Sequence, residues 1–279
     1  MRPTTLGVIG LGAIGGSVAR EAKRAGLSVT GWSPDPAERR AALSQGALDD
    51  APAQAAEVAR AAELLILAAL PAANLELLTK LGPCLSATAL ATDVGSVKRG
   101  IVARAEALGL AARFAGSHPF AGTQAHGFDA SRAGLFTGAV VYVTPTRGGA
   151  TAAREIAHFW ESVCGARAVA MDATAHDTQI AVTSHLPQVI ASLLGRYLAE
   201  HVPRGAALGP GAKDTTRLAA SEPGLWTEIL LMNRDMLLPT LRALEEPLGE
   251  LERALESGDA RGVSAWLDRG ARWRRSLEP

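Results

Sequence analysis

The tightest constraint on the fold lies at the start of the chain. The apolar run Leu6-Gly7-Val8-Ile9-Gly10 leads into Leu11-Gly12-Ala13-Ile14-Gly15-Gly16-Ser17 and then an alanine-rich segment ending near Gly26. Strand, glycine turn and helix in direct succession open a βαβ unit. In Gly10-x-Gly12-x-x-Gly15 the first glycine permits the turn and the second admits a pyrophosphate. The third lets helix and strand approach each other. The helix N-terminus, beginning at Ala13 and Ile14, then faces the phosphates, so Gly10, Gly12, Ala13, Ile14 and Gly15 are expected to bind a dinucleotide. The competing reading is a tight turn packed for structural reasons alone.

The rest of the first half repeats the pattern. Strands are expected at Leu27 to Trp32, Leu64 to Leu70, Ala89 to Asp93, Ala111 to Gly116, Ala139 to Val143 and Ala166 to Met171, with a helix at Ala37 to Gln45. Continuous apolar strands between helices mean a parallel sheet covered on both faces, a doubly wound Rossmann fold. After Met171 the strand signals cease and helical patterns run to the C-terminus. Residues 1–171 are therefore expected to form the dinucleotide-binding domain and 172–279 an all-helical substrate and dimerisation domain. Pro187 should kink the helix that begins near Ala173, and Pro239 should bend or interrupt the apolar helix Leu225 to Leu244. That second helix is apolar on several sides, so a second subunit is expected to share its burial.

Composition narrows the function. Lys+Arg and Asp+Glu both total 28 in 279 residues, which leaves no global field to attract nucleic acid or an anionic membrane. An anionic ligand must be held locally. Cys84 and Cys164 are too few for a secreted disulfide framework, Met1-Arg2-Pro3 leads almost directly into a strand so that no signal peptide is expected, and no apolar run approaches membrane-spanning length. A cytoplasmic protein with a small-molecule substrate and no metal is expected. Only four of the basic residues are lysine, and two of them, Lys98 and Lys213, fall inside motifs.

Five further motifs carry chemistry. At the end of the second strand, where an acidic residue would bind the ribose of NAD, stands Ser33-Pro34-Asp35. Ser33 leaves room for a 2′-phosphate that Arg39 or Arg40 would reach, whereas Asp35 folded back would favour NAD, so NAD and NADP both stay open. Asp93-Val94-Gly95-Ser96-Val97-Lys98 falls at the carboxyl edge of the fourth strand, where Ser96 either meets His118 and a substrate hydroxyl or caps a helix. Gly116-Ser117-His118-Pro119-Phe120-Ala121-Gly122 places a histidine on a glycine-bounded turn after the strand Ala111 to Ala115, with Pro119 restricting its backbone. An imidazole so held is a proton acceptor near neutral pH, or else a structural histidine. His176-Asp177 and Ser184-His185-Leu186-Pro187-Gln188 put Asp177, Ser184 and Gln188 on one helical stripe, with His185 on its flank, facing solvent or a cleft. Finally, Lys213-Asp214-Thr215-Thr216-Arg217 precedes Trp226. Arg217 offers a fork for a carboxylate, or pairs with Asp214 on the surface.

As an ordered set these motifs resemble the prephenate and arogenate dehydrogenase family of tyrosine biosynthesis, over most of the chain. The resemblance implies a Rossmann domain followed by a helical domain that forms a homodimer. It also implies an NAD(P)-dependent oxidative decarboxylation of prephenate or arogenate. Carried onto this sequence, His118 accepts the ring-hydroxyl proton and Ser96 shares its network. His185, Arg217, Gln188, Asp214 and Trp226 face the substrate, Trp226 from a neighbouring subunit. His176 and Asp177 support His185, and Lys98 adds positive potential near the substrate. Gln188 stands where the family often has a second histidine, and Phe120 where it often has methionine. A monofunctional enzyme is expected. Two other readings compete: a β-hydroxyacid dehydrogenase using Lys213 as acid and base, and a non-catalytic dinucleotide sensor.

Overall fold

The computed structural model describes residues 3–121 and 127–277, so Gly122 of the histidine motif lies outside the described residues. The chain divides into two compact units. The first spans residues up to Ile180 together with Ala220–Asn233, and the second comprises Ala181–Ala219 and the chain from Arg234 onward. The expected division at 171/172 thus differs from the compact units, because the helix after Met171 packs with the sheet unit.

In the first unit, β1 (Thr5–Ile9), β2 (Ser28–Trp32), β3 (Leu64–Leu67) and β4 (Leu90–Asp93) form a parallel sheet in the order β2-β1-β3-β4. Alternation along its strands divides the core in two. Leu6 and Val8 of β1 and Leu64 and Ile66 of β3 join one apolar cluster, while Ile9, Leu65 and Leu67 join the other. Successive strand residues point to opposite faces, so these apolar runs are what burial on both faces requires. Each fully buried side chain of this kind contributes roughly 1.5–3 kcal/mol. The helices α1 (Ala13–Arg24), α2 (Pro36–Ser44), α3 (Ala55–Ala61), α4 (Pro71–Leu81) and α5 (Arg99–Ala107) connect the strands and extend beyond them. Pro71 opens α4, where its missing N–H costs nothing.

The second half of the sheet region corrects two expectations. Residues Ala111–Arg113 form a 3-10 turn, and the strand β5 runs from Ala115 to Pro119, so His118 lies in the strand and not on a turn after it. β5 pairs antiparallel with β6 (Val140–Pro145), which pairs parallel with β7 (Arg167–Ala170). The parallel pattern therefore reverses once, at β6. Between β6 and β7 runs α6 (Ala150–Ser162), whose Phe159 and Trp160 fill the first core cluster beside Phe136. The unit is completed by α7 (Ala173–Ile180), whose first turn is capped by the Asp172 carboxylate accepting from the Thr174 and Ala175 amides.

The second unit is helical. A π turn at Ala181–His185 precedes α8 (Leu186–His201), and α9 (Pro210–Thr216) follows. The expected disturbance at Pro187 takes the form of this π turn, which absorbs the hydrogen bond that proline cannot donate. In the first unit, α10 (Pro223–Met232) ends at Asn233. The second unit resumes with α11 (Arg234–Arg242), α12 (Glu245–Glu256) and α13 (Ala260–Arg275). The break expected at Pro239 thus falls at Asn233, and Pro239 lies inside α11. In α12 and α13, Trp266 Nε1 donates to the Pro247 carbonyl at 2.8 Å. No described helix is long and apolar enough to cross a membrane.

Candidate active site

A cleft of about 620 Å³ in the first unit is walled by Gly10–Ile14, the β3–α4 loop (Ala68–Pro71), Val94–Ser96, His118, and Leu225 and Ile229 of α10. Its phosphate end is built from glycine. Gly10 adopts φ 95°, and a Cβ there would sit 2.5 Å from the Ala68 carbonyl oxygen. A Cβ at Gly15 would sit 1.9 Å from the Gly10 carbonyl oxygen, so helix and strand touch backbone to backbone. A Cβ at Gly12, the N-cap of α1, would meet nothing within 4 Å. The turn is therefore closed at Gly10 and Gly15 and open at Gly12, the pattern a pyrophosphate seated on a helix N-terminus needs. These residues fit a dinucleotide.

The residues at the end of β2 settle differently from expectation. Asp35 does not fold back, since its carboxylate caps α2 by accepting from the Ala37 amide at 2.7 Å. Ser33 is buried, and its hydroxyl donates to Glu38 Oε2 at 2.5 Å. Arg39, expected to reach into the cofactor site, instead donates through Nη1 to the Ser33 carbonyl at 2.5 Å. It does not line the cleft, whereas Glu38 does. Sequence reasoning missed Glu38 because it comes from the first turn of α2, five residues beyond the position where an acid is looked for.

His118 owes its direction to the strand. On β5, Ser117 faces the core, its hydroxyl 2.7 Å from Thr92 Oγ1 and accepting from Trp160 Nε1 at 3.0 Å. The next residue must point to the other face, and His118 lines the cleft. Behind its ring, His118 Nδ1 lies 2.9 Å from His176 Nε2, and His176 Nδ1 lies 2.8 Å from Asp177 Oδ1. Both His176 and Asp177 are fully buried. The Asp177 carboxylate also accepts from the amides of Lys98 and Arg99 at 2.8 and 2.9 Å, and from Arg99 Nε at 3.2 Å. Burial alone would raise its pKa, but the donors from His176, Arg99 and Lys98 outweigh it and hold the carboxyl below its ordinary value. Arg99 and Asn233 finish the frame: Arg99 Nη2 donates to Asn233 Oδ1, and Asn233 Nδ2 donates to the Asp177 carbonyl.

This chain sets the tautomers. With His176 neutral, an ionised Asp177 places the N–H at His176 Nδ1, which makes His176 Nε2 an acceptor and places the N–H of His118 at Nδ1. The lone pair of His118 is thereby assigned to Nε2. His176 and Asp177, expected to support His185, support His118 instead.

Other expectations are corrected by burial. Lys98 offers no potential to a ligand, because its side chain is fully enclosed and Nζ donates to Asp93 Oδ2 at 2.5 Å and to the Ser117 carbonyl at 2.8 Å. Gln188 does not present its amide to a ligand, since Nε2 donates to the Leu218 carbonyl at 2.9 Å within the helical unit. His185 is fully buried on the π turn, which packs on α8 and α11. Asp214 and Arg217 are exposed on the second unit, and so is Lys213. Ser96 lines the cleft and does not cap α5, whose N-cap position is Lys98. Trp226 is half-buried on α10, the helix whose Leu225 and Ile229 form a cleft wall. Glu228 of the same helix accepts from the Ala72 amide at 3.1 Å and so ties α10 to the start of α4.

A glycine cradle beside an oriented imidazole, in an α/β unit joined to a helical one, defines an NAD(P)-dependent oxidoreductase. Residues 18–170 match the nucleotide-binding domain of prephenate dehydrogenase and residues 172–269 its dimerisation domain, so the chain belongs to the prephenate dehydrogenase family. It is 35% identical over 264 residues to the cyclohexadienyl dehydrogenase of Zymomonas mobilis, covering 91% of this chain and 89% of that protein. Among solved structures, prephenate dehydrogenase from Aquifex aeolicus in complex with hydroxyphenyl propionate and NAD+ superposes with a TM-score of 0.91. That match has 28% identity and covers 99% of this chain and 98% of the other. Synechocystis arogenate dehydrogenase gives a TM-score of 0.84 at 27% identity, over 98% of this chain and 99% of that one.

Proposed function

We propose that this chain catalyses the NAD(P)-dependent oxidative decarboxylation of prephenate or arogenate, with His118 as the acceptor of the ring-hydroxyl proton. The observation that carries the mechanism is the hydrogen-bond chain from Asp177 through His176 to His118, which assigns a lone pair to Nε2 of a histidine lining the cleft. A nicotinamide bound in this cleft would supply the hydride acceptor for the carbinol carbon. His118 holds the hydroxyl proton, Ser96 shares that hydroxyl, and the buried Asp177 carboxylate favours the imidazolium that results. Loss of CO2 leaves an aromatic ring whose phenol oxygen recovers the proton. Trp226, half-buried on α10, contributes an aromatic wall.

The protein acts as a homodimer through its helical half. The match of residues 172–269 to a dimerisation domain supports this, as do the exposed Leu193, Tyr197, Leu248, Leu255, Leu267 and Trp273. The β-hydroxyacid reading gains nothing, since Lys213 is exposed on α9 and does not line the cleft. The test is to incubate the protein with prephenate or arogenate and NAD+ or NADP+, following absorbance of the reduced nicotinamide. Turnover with either substrate supports the assignment, and silence in all four pairings overturns it.

A further inference from the structure

We propose that Glu38 commits this protein to NAD by excluding the 2′-phosphate of NADP, with a carboxylate supplied from the first turn of α2 and not from the end of β2. The inference rests on reading the glycine-walled cleft as the dinucleotide site. Among the described residues that line this cleft, Glu38 is the one carboxylate, and no lysine or arginine joins it. A phosphate dianion seated there would meet a negative charge and, among the described lining residues, no cation, whereas a ribose 2′-hydroxyl would meet a hydrogen-bond acceptor.

The carboxylate is held in place from several sides. Ser33, 1% exposed, donates its hydroxyl to Glu38 Oε2, and the same oxygen of Ser33 accepts from the Asp35 amide at 3.2 Å. A Cβ on Gly127, which has φ 78°, would lie 3.8 Å from Glu38 Oε1, so this backbone borders the other carboxylate oxygen. The start of α2 favours the negative charge. Of the nearby cations that could reverse the preference, Arg39 donates to the Ser33 carbonyl and Arg40 is exposed, and neither lines the cleft. Ser33 would suggest NADP if read alone, but in this setting it orients an acid.

Calorimetric titration of the full chain with NAD+ and with NADP+, without substrate, tests this directly. The wild-type protein should bind NAD+ at least about 100-fold more tightly than NADP+. Glu38→Gln, which keeps the shape and removes the charge, should bring the ratio below about 10-fold by weakening NAD+ and strengthening NADP+. Glu38→Asp keeps the charge but retracts it, and should weaken NAD+ while NADP+ stays excluded. Equal wild-type affinities, or an unchanged ratio in Glu38→Gln, would overturn the assignment of Glu38 while leaving the cleft intact. A wild-type protein that binds neither dinucleotide overturns the cleft reading itself.

Discussion

Two of the carboxylates buried in the sheet unit, Asp93 and Asp177, have opposite fates. Asp93 ends β4 and Asp177 lies on α7; they are 2% and 0% exposed, and both accept backbone amides, Asp93 from Gly95 and Asp177 from Lys98 and Arg99. Asp93 is closed off by Lys98, whose ammonium continues only to the carbonyl of Ser117. Asp177 continues through His176 to His118 and so to the cleft. Burial pushes the Asp93 carboxyl up and the Lys98 ammonium down, whereas the donors around Asp177 overcome burial and hold it low. What separates the two here is where their hydrogen bonds lead: to backbone in one case, to a histidine that lines the cleft in the other.

The comparison breaks most sharply at its open end. His118→Asn should lower kcat by about 10²–10⁴-fold, the range for losing a positioned general base. Affinity for NAD+ measured by calorimetry should stay unchanged, because the glycine cradle is untouched. Turnover near the wild-type rate would return His118 to a structural role. At the closed end the loss should be one of stability. Lys98→Met leaves Asp93 buried without its cation and should cost about 3–5 kcal/mol in urea unfolding. Lys98→Met/Asp93→Asn should recover much of that loss. A double variant as unstable as the single one would show that Lys98 does more than neutralise Asp93.

The sequence made part of this contrast legible. The glycine spacing and the apolar strands carry their own geometry, because the period of a strand and the space a glycine leaves are local properties. His118 stood out for the same reason, with Pro119 beside it. The partners were not local. Lys98 looks like a ligand-binding cation until β4 and β5 enclose it, and His176-Asp177 gives no sign along the chain of which histidine it will meet. Glu38 was hidden because the Ser33 hydroxyl, and not strand position, places it. The helix break fell at Asn233, ahead of Pro239, where the Asn233 side chain bonds the Asp177 carbonyl and Arg99.

Asp177→Asn probes the relay without touching its reactive end. Through its oxygen the amide can still accept from His176 Nδ1 and the Lys98 amide, but its NH2 then opposes the Arg99 donors, so some stability is lost together with the charge that favours a cationic His118. Removing an outer partner that fixes a histidine's tautomer typically costs about 10–100-fold. A fall in kcat of that size with KM little changed is expected. The acidic limb of the kcat/KM profile should also move to lower pH, since an imidazolium no longer stabilised forms less readily. A purely structural role for Asp177 would lower the melting temperature and leave that limb in place.

The smallest effect separates the two carboxylates by pH. Asp177 titrates below its ordinary value in the folded protein, so folding favours its ionised form. Its contribution to stability is complete above the unfolded carboxyl pKa of about 3.9 and is lost as pH falls through the lower folded value. Melting curves between pH 6 and acid should therefore decline more steeply for the wild-type protein than for Asp177→Asn, which has no proton to take up at that position. In a chain of this size each kcal/mol corresponds to about 2–4 °C, so the divergence is within reach of a melting experiment. Parallel acid limbs for the two proteins would mean that the donors around Asp177 favour the amide as much as the carboxylate, and that the relay does not depend on a buried negative charge.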